Sequence, residues 1–379
     1  MTRLEVRPVE NRRDLRRFVT MPRRIYAGDP HWVAPLLFER LQHLDARRNP
    51  FLRGIELRYW LAFRNGRCVG RISAQVDRRH LERYGDDTGH FGFLEAEDDG
   101  EVFAALLETA EADLRQRGMR RIRGPFNPSI NDECGLLVEG FHVGPSMMMG
   151  HARPYYRQRL EELGYVKAKD LIAYDFEVGR PWPPRVARML ARIRRAGDIR
   201  VRPLDMRRYR EEIATICRIF NDAWANNWGF IPFGEEEAQY LARSIRPLVD
   251  ANCFAIGEIG GEPVAMCVTL PNLNEAIRGL DGRILPFGWA VLLWRLKVRG
   301  VRSWRMPLMG VARRFHGTSR GAALALLVID ALHDYHARRG VERGELSWVL
   351  EDNRPVRELI EGIGGVPYKT YRIFEKRLT

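Results

Sequence analysis

Leu308-Met309-Gly310-Val311, then Arg313-Arg314-Phe315-His316-Gly317-Thr318-Ser319-Arg320-Gly321, then Ala322-Ala323-Leu324-Ala325-Leu326-Leu327: an apolar strand, a glycine-bearing turn and a helix start follow one another without interruption. At such a turn, consecutive backbone N–H groups and the positive end of the helix dipole can cradle a phosphate. The helix reads from Ala322 to Arg339, where Gly340 stops it, and Glu345 to Leu350 follows as a strand. Upstream, Phe254 to Ile259 and Pro263 to Leu270 flank Gly260-Gly261 as a hairpin. Before them stand a strand from Ile199 to Pro203 and helices from Tyr209 to Trp224 and from Glu235 to Pro247.

The same order occurs earlier in the chain. Val6-Arg7-Pro8 matches Val201-Arg202-Pro203, and Arg153-Pro154, reaching Gly164 and Tyr165-Val166-Lys167, matches Arg354-Pro355, reaching Gly365 and Val366-Pro367-Tyr368-Lys369. Proline in the first turn, glycine past the end and an apolar strand after it specify a helix-to-strand unit. A strand from Leu4 to Val9, a helix from Asn11 to Tyr26, a hairpin about Asn65-Gly66, a strand from Phe91 to Leu94, a helix from Val102 to Arg117 and a strand from Arg120 to Arg123 complete the first copy. The expectation is a mixed α/β (α+β) sheet in two tandem copies, residues 1-180 and 198-379. They are joined by a basic linker, 181-197, whose Val186, Met189, Leu190 and Ile193 have helical spacing.

At 379 residues the chain is long for one core, and 45% hydrophobic with 10% aromatic content is that of a folded protein. The net charge of +13 points to a phosphate-bearing partner, an anionic membrane surface or nucleic acid, and equally describes an arginine-rich soluble surface. Five scattered cysteines with no C-x-x-C pair argue against a disulfide framework or a structural zinc site and for a cytoplasmic location. The N-terminus lacks the apolar core of a signal peptide, and no stretch reaches the length of a membrane span. His333-x-x-His336 has no accompanying ligand set and is expected on a solvated helix face, so no metal is expected.

The copies differ where chemistry is expected. The first half's counterpart of the phosphate turn is Glu95-Ala96-Glu97-Asp98-Asp99-Gly100-Glu101, a row of carboxylates that would repel a phosphate. After its Arg120–Arg123 strand comes Gly124-Pro125-Phe126-Asn127-Pro128-Ser129-Ile130-Asn131-Asp132-Glu133-Cys134-Gly135. Asn127 and Asn131 suit a polar head group, and Asp132 or Glu133 would take a proton from an ammonium; the loop is equally rich in ordinary turn formers.

The element order resembles the GNAT superfamily of acyl-CoA N-acyltransferases, most clearly in the second half. The superfamily motif R/Q-x-x-G-x-G/A is approximated by Arg314-x-x-Gly317-x-Ser319, with Thr318-x-x-Gly321-x-Ala323 as a second register. The resemblance implies acyl-CoA as co-substrate, with its pyrophosphate at Val311, Arg314, Gly317, Ser319, Arg320 and Gly321, and a first domain degenerate for CoA that contributes on the acceptor side. Many GNAT enzymes carry a tyrosine at the start of the closing helix to protonate the CoA thiolate. Tyr155-Tyr156 stand there in the first half and Val356-Arg357 in the second, which leaves Tyr156, Glu345, Ser347 and Asn353 as candidates beside Asp132 and Glu133.

Asp29-Pro30-His31-Trp32-Val33, Asn49-Pro50-Phe51, Gly124-Pro125-Phe126-Asn127-Pro128-Ser129, Asn131-Asp132-Glu133 and Gly365-Val366-Pro367-Tyr368-Lys369-Thr370-Tyr371 further resemble a family of bacterial double-GNAT proteins that includes the proposed bacterial ceramide synthase. That resemblance implies transfer of a long-chain acyl group to the amine of a sphingoid base. An insertion, Ile284-Leu285-Pro286-Phe287-Gly288-Trp289-Ala290-Val291-Leu292-Leu293-Trp294 with the basic tail Arg295-Leu296-Lys297-Val298-Arg299, reads either as a segment lying in a membrane interface or as a buried lid. With it the expected location is cytoplasmic, peripheral on the inner face of the membrane through 283-299. The reading from another class is a catalytically silent GNAT-like protein that binds nucleic acid or a protein through its basic face; no helix-turn-helix or zinc-finger pattern supports it.

Overall fold

The computed structural model describes residues 3–246 and 249–378. The chain forms two compact units, each discontinuous in sequence: Met1–Leu171, Ala276–Val298 and Lys369–Thr379 in the first, Ile172–Glu275 and Arg299–Tyr368 in the second.

In the first unit, β1 (Leu4–Pro8), β2 (Ile55–Arg64), β3 (Arg67–Asp77), β4 (Thr88–Ala96) and β5 (Arg121–Gly124) lie side by side in chain order. The end of the chain's last strand pairs antiparallel with β5, Phe374 opposite Gly124 and Arg377 opposite Arg121. The β2–β3 hairpin turns at Asn65 and Gly66, both at positive φ as a tight two-residue turn requires.

The expected single helix from Asn11 to Tyr26 is two, α1 (Arg12–Thr20) and α2 (Pro22–Ile25). Pro22 has no N–H to continue the ladder of the first and starts the second. Two helices without strong sequence signals, α3 (Leu37–His43) and α4 (Arg78–Tyr84), also form. Helix α5 (Gly100–Gln116) is capped by the Asp99 side chain, which accepts from the N–H groups of Glu101 and Val102. Its Val102, Phe103, Leu106, Leu107, Ala110 and Leu114 form the buried stripe. The crossover through α5 makes β4 and β5 parallel. Short strands β6 (Phe126–Asn127), β7 (Glu133–Cys134) and β8 (Leu136–Glu139), helix α6 (Tyr155–Glu162) and strand β9 (Val166–Glu177) follow.

The second unit repeats the plan. Its sheet runs from β9, through β14 (Arg343–Leu350), β13 (Ser303–Val311), β12 (Glu262–Pro271) and β11 (Phe254–Ile259), to β10 (Ile199–Arg202). Along β12, Ala265 and Cys267 join one core while Met266 and Val268 join the other, the period of two expected of a sheet covered on both faces. The first core takes Leu324 and Val328 from α10 (Ser319–Arg338) and Val186 and Leu190 from the linker helix α7 (Pro184–Ala196). The second takes Ile213, Ile216 and Phe220 from α8 (Tyr209–Ala223) and Ala238 and Ala242 from α9 (Glu235–Ile245). The expected end of α9 at Pro247 lies outside the described residues. Helix α11 (Arg354–Gly362) and strand β15 (Val366–Arg377) close the chain.

His333 and His336 do not sit on a solvated face. Both are buried, His333 against Trp182 and His336 stacked on Trp304 with its Nε2 2.8 Å from the Thr269 hydroxyl. Their side of α10 is the one that packs on β12 and α7, which the spacing of two polar residues could not reveal.

Burial, the largest influence, pushes the His336 imidazole down to about 4 from 6.5. Between those values the unfolded chain binds a proton that the folded chain refuses. His336 therefore takes nothing from stability above pH 6.5 and up to about 3 kcal/mol as pH falls toward 4. His336→Gln is expected to flatten that part of the acid limb in urea titrations, so a difference from wild type that is constant between pH 7 and 4 would exclude this origin.

Candidate active site

β13 and β14 pair in parallel from Ser303/Arg343 to Met306/Leu346, while β13 runs on to Val311 and β14 to Leu350. Beyond Met306 and Leu346 the facing edges of the two strands no longer bond to each other. Backbone N–H and C=O groups must be satisfied somewhere, so an opening fork between parallel strands can receive an extended polar chain. Trp224 Nε1 already donates to the Met309 carbonyl at 3.0 Å, and Trp224 meets Trp348 edge to face.

A buried polar cluster sits at the closed end of the fork. Arg305 and Glu345 are opposite one another in register and only 4% and 3% exposed. Arg305 Nε donates to Ser347 Oγ at 2.8 Å and lies 3.7 Å from Glu345 Oε1. The hydroxyls of Ser347 and Tyr368 both donate to the Glu345 carboxylate. A carboxylate this enclosed is stable only because a cation and two hydroxyls meet it. Glu345 and Ser347 were legible candidates; Arg305 and Tyr368 were not, since no local pattern joins positions 305, 345 and 368.

At the open end, the strand leads into the glycine turn. Gly317 has φ +70°, and Thr318 caps α10 by accepting the Gly321 N–H at 3.0 Å. Among the described residues, the N–H groups of Gly317, Ser319 and Arg320 have no hydrogen-bond partner. They are exposed at the positive end of a 20-residue helix. A side chain at Gly321 would overlap the Phe315 carbonyl oxygen, so the close approach of the turn to the helix demands glycine there. Val311 is buried, with its carbonyl accepting from His316 Nε2; Arg314 pairs with Glu262 at 2.6 Å and Arg320 with Asp198 at 3.6 Å. Asn353 caps α11 by accepting the Val356 N–H, a structural role.

The first unit has the same fork with something in it. β4 and β5 pair from Thr88/Arg121 to His90/Arg123, and then the chain's own Phe126-Asn127 enters the gap. Asn127 Oδ1 accepts the Phe93 N–H at 2.5 Å, and a side chain at Gly92 would overlap the Phe126 carbonyl oxygen. Gln75 holds the loop by donating to the carbonyls of Phe126 at 2.8 Å and Pro128 at 2.9 Å.

The row of carboxylates in this unit is compensated rather than bare. Glu97 pairs with Arg24 and Arg67, Asp98 with Arg159, and Asp99 and Glu101 with Arg64. Glu95 turns inward and accepts from the Tyr26 hydroxyl at 2.8 Å and the Tyr156 hydroxyl at 2.7 Å, with Arg71 at 3.8 Å. Burial raises the Glu95 carboxyl above its usual range, with Arg71 and the two hydroxyls pulling back. Tyr156, buried against the same carboxylate, is driven well above an ordinary phenol.

The loop candidates form a second cluster in this unit, from which the Glu133 charge still reaches Arg71 and Glu95. Asp132 accepts from Ser129 Oγ at 2.6 Å and lies 3.3 Å from His43 Nε2; Glu133 is 3.6 Å from Arg40; the Asn131 N–H meets Ser129 Oγ at 3.2 Å. His43 and Arg40 come from α3, which the sequence did not reveal. The Asn49 side chain, fully buried, donates to the His43 carbonyl and accepts the Phe51 N–H, fixing the end of that helix.

Tyr156 thus anchors a carboxylate and also accepts the Ala96 N–H at 3.1 Å. Tyr156→Phe removes a donor from one buried group and an acceptor from another, which is expected to cost about 1–3 kcal/mol of stability. It is expected to leave acyl-CoA affinity, measured calorimetrically, unchanged; a selective loss of affinity in a variant of wild-type stability would contradict this assignment.

No family model matches the chain. Two full-length relatives do. The chain is 46% identical over 376 residues to the bacterial ceramide synthase of Caulobacter vibrioides, covering 99% of this chain and 98% of the relative. It is 44% identical over 374 residues to protein YghO of Escherichia coli, covering 98% and 95%. Among solved structures, a tandem GNAT protein from the clavulanic acid biosynthesis pathway aligns over 100% of this chain and 99% of its own, with TM-score 0.58 and 13% identity. A GCN5-related N-acetyltransferase from Sphaerobacter thermophilus aligns over 99% and 96%, with TM-score 0.54 and 14% identity. These structural likenesses establish the mixed α/β tandem GNAT fold. The full-length identity goes further: the chain belongs to the bacterial family of tandem GNAT N-acyltransferases that includes the ceramide synthase of Caulobacter vibrioides.

Proposed function

We propose that the protein transfers a long-chain acyl group from acyl-CoA to the amine of a lipid of the sphingoid-base class. The observation that carries the proposal is the second unit's open fork, with a glycine turn and unpartnered N–H groups at one end and a buried carboxylate at the other, in a chain 46% identical to a ceramide synthase.

The pyrophosphate of CoA would rest on the N–H groups of Gly317, Ser319 and Arg320, with Arg314 and Arg320 exchanging their exposed acidic partners for phosphate. The amide-bearing arm of CoA would bond to the inner strand edges of the fork, bringing the thioester toward Glu345. There the amine nitrogen forms a C–N bond to the acyl carbon as the C–S bond breaks. The proton lost from nitrogen passes to the Glu345 carboxylate, and the departing thiolate takes up a proton to leave as free CoA. Tyr368, already bonded to Glu345, would relay it. Positioning supplies most of the rate, because no acyl-enzyme is required. The first unit's fork is filled by its own Phe126-Asn127, which supports the second unit's fork as the CoA site. Within the first unit, Asn131, Asp132 and Glu133 are the residues that would bind a polar head group, with His43 and Arg40 beside the two carboxylates.

Incubation with palmitoyl-CoA and sphinganine is expected to yield the N-acyl product by mass spectrometry with stoichiometric thiol release. Absence of any product with sphinganine and other lipid amines would sink the proposed acceptor class. Glu345→Gln is expected to lower kcat about 100-fold while acyl-CoA still binds; a variant at wild-type rate would remove Glu345 from the chemistry. Gly321→Ala, which forces the turn from the helix end, is expected to weaken palmitoyl-CoA binding at least about tenfold by calorimetry. Unchanged affinity would place the pyrophosphate elsewhere.

A further inference from the structure

The insertion is the one motif that acyl transfer leaves unexplained. The helix Gly288–Trp294 has no polar side chain, yet neither it nor the turn Arg295–Arg299 that continues it buries a single residue. A helix apolar on every side is ordinarily enclosed by protein or lipid. Here Leu285 and Phe287 are each 75% exposed and Trp289 and Trp294 each 52%, with Leu293 and Val298 similarly open. So many exposed large side chains in one short segment mark a surface that meets something apolar.

The segment is firmly mounted. The Leu37 N–H donates to the Gly282 carbonyl at 3.0 Å, Arg23 donates to the Asp281 carbonyl, and Arg278 donates to the Pro30 carbonyl at 2.6 Å. Gly282, at φ +67°, sits where a side chain would overlap the Pro35 carbonyl. Arg295 ties the far end back to the carbonyls of Ala276 and Arg278. The same loop places Phe38, itself exposed, one residue from the Leu37 anchor. The apolar residues are therefore held outward by a braced loop rather than caught in a loose flap.

The rim decides what they meet. Between 276 and 298 the charged residues are Arg278, Arg283, Arg295 and Lys297 against the single acid Asp281, and Arg283 and Lys297 are exposed. A second copy of the chain docking through the same face would set this basic rim against itself. An anionic lipid surface matches each part: phosphate head groups for the rim, the head-group boundary for the tryptophans and the acyl region for Leu285 and Phe287.

We infer that the 283–298 segment docks the first unit on an anionic lipid surface, with Phe287, Trp289 and Trp294 inserted and Arg283 and Lys297 on the head groups. This docking does not depend on the acyl-transfer chemistry. The test is co-sedimentation of the full chain with vesicles of phosphatidylcholine alone and of phosphatidylcholine with about one-third phosphatidylglycerol, at low and high salt. Wild type is expected to sediment with the anionic vesicles, less so at high salt. Combined Phe287→Ser, Trp289→Ser and Trp294→Ser are expected to lower the partition at least about tenfold. Arg283→Glu with Lys297→Glu is expected to abolish the preference for anionic lipid. Because all five side chains point to solvent, melting temperature and palmitoyl-CoA affinity should stay at wild-type values, which separates failure of docking from failure of the enzyme. Equal sedimentation of the serine variant, or equal binding to neutral and anionic vesicles, would overturn the inference. So would a lipid-free wild-type dimer that the serine substitutions convert to monomer, which would assign the face to a second copy.

Discussion

Parallel strands that pair at their start and separate at their end leave hydrogen-bonding backbone facing a gap, and the gap must be filled by something polar. That constraint governs both halves of this protein. In the second unit the pairing of β13 with β14 stops at Met306 and Leu346. In the first, the pairing of β4 with β5 stops at His90 and Arg123. The helix that follows each inner strand starts beside the fork, so the gap, the turn and the helix end form one device.

The halves diverge through what fills the device. In the first, Asn127 supplies an acceptor for the Phe93 N–H, Gln75 pins the loop, and Asp99 caps the helix that would otherwise greet an anion. The protein has satisfied its own backbone. In the second, the cap is Thr318, a neutral hydroxyl, and three N–H groups of the turn remain open. Arginine follows the same division. In the first unit Arg24, Arg64, Arg67 and Arg159 neutralise the acidic turn, whereas in the second Arg314 and Arg320 pair with the exposed carboxylates of Glu262 and Asp198.

Glu95, partly enclosed, and Glu345, fully buried, are two inward-turned acids that differ in their neighbours. Glu95 is locked by two tyrosines whose hydroxyls belong to elements far apart in sequence, Tyr26 at the end of α2 and Tyr156 on α6. Glu345 has its neighbours at the closed end of an unfilled fork. The tyrosine that the family resemblance offered as an acid is thereby bound to a structural carboxylate, and a different tyrosine, Tyr368, stands beside the carboxylate at the fork.

The elements themselves were written locally. Asn65-Gly66 and Gly260-Gly261 specify their hairpins because those positions need positive φ, and Gly317 with Thr318 starts α10 for the same kind of reason. The strand-turn-helix order, the repetition of that order and the apolar, basic-rimmed character of 284–299 are likewise properties of neighbouring residues, so the sequence alone determined them. What only tertiary structure decided is which distant side chains meet. Arg305 reaches Ser347 across a strand pair, His43 reaches Asp132 from a helix with no clear local signal, and His333 and His336 turn inward because of what packs on α10. The last strand likewise takes its partner in β5 by edge pairing. Hairpins, caps and glycine turns depend on φ, ψ and bonds a few residues apart. Register between strands, and the burial of a charge beside its partner, depend on packing that no short stretch contains.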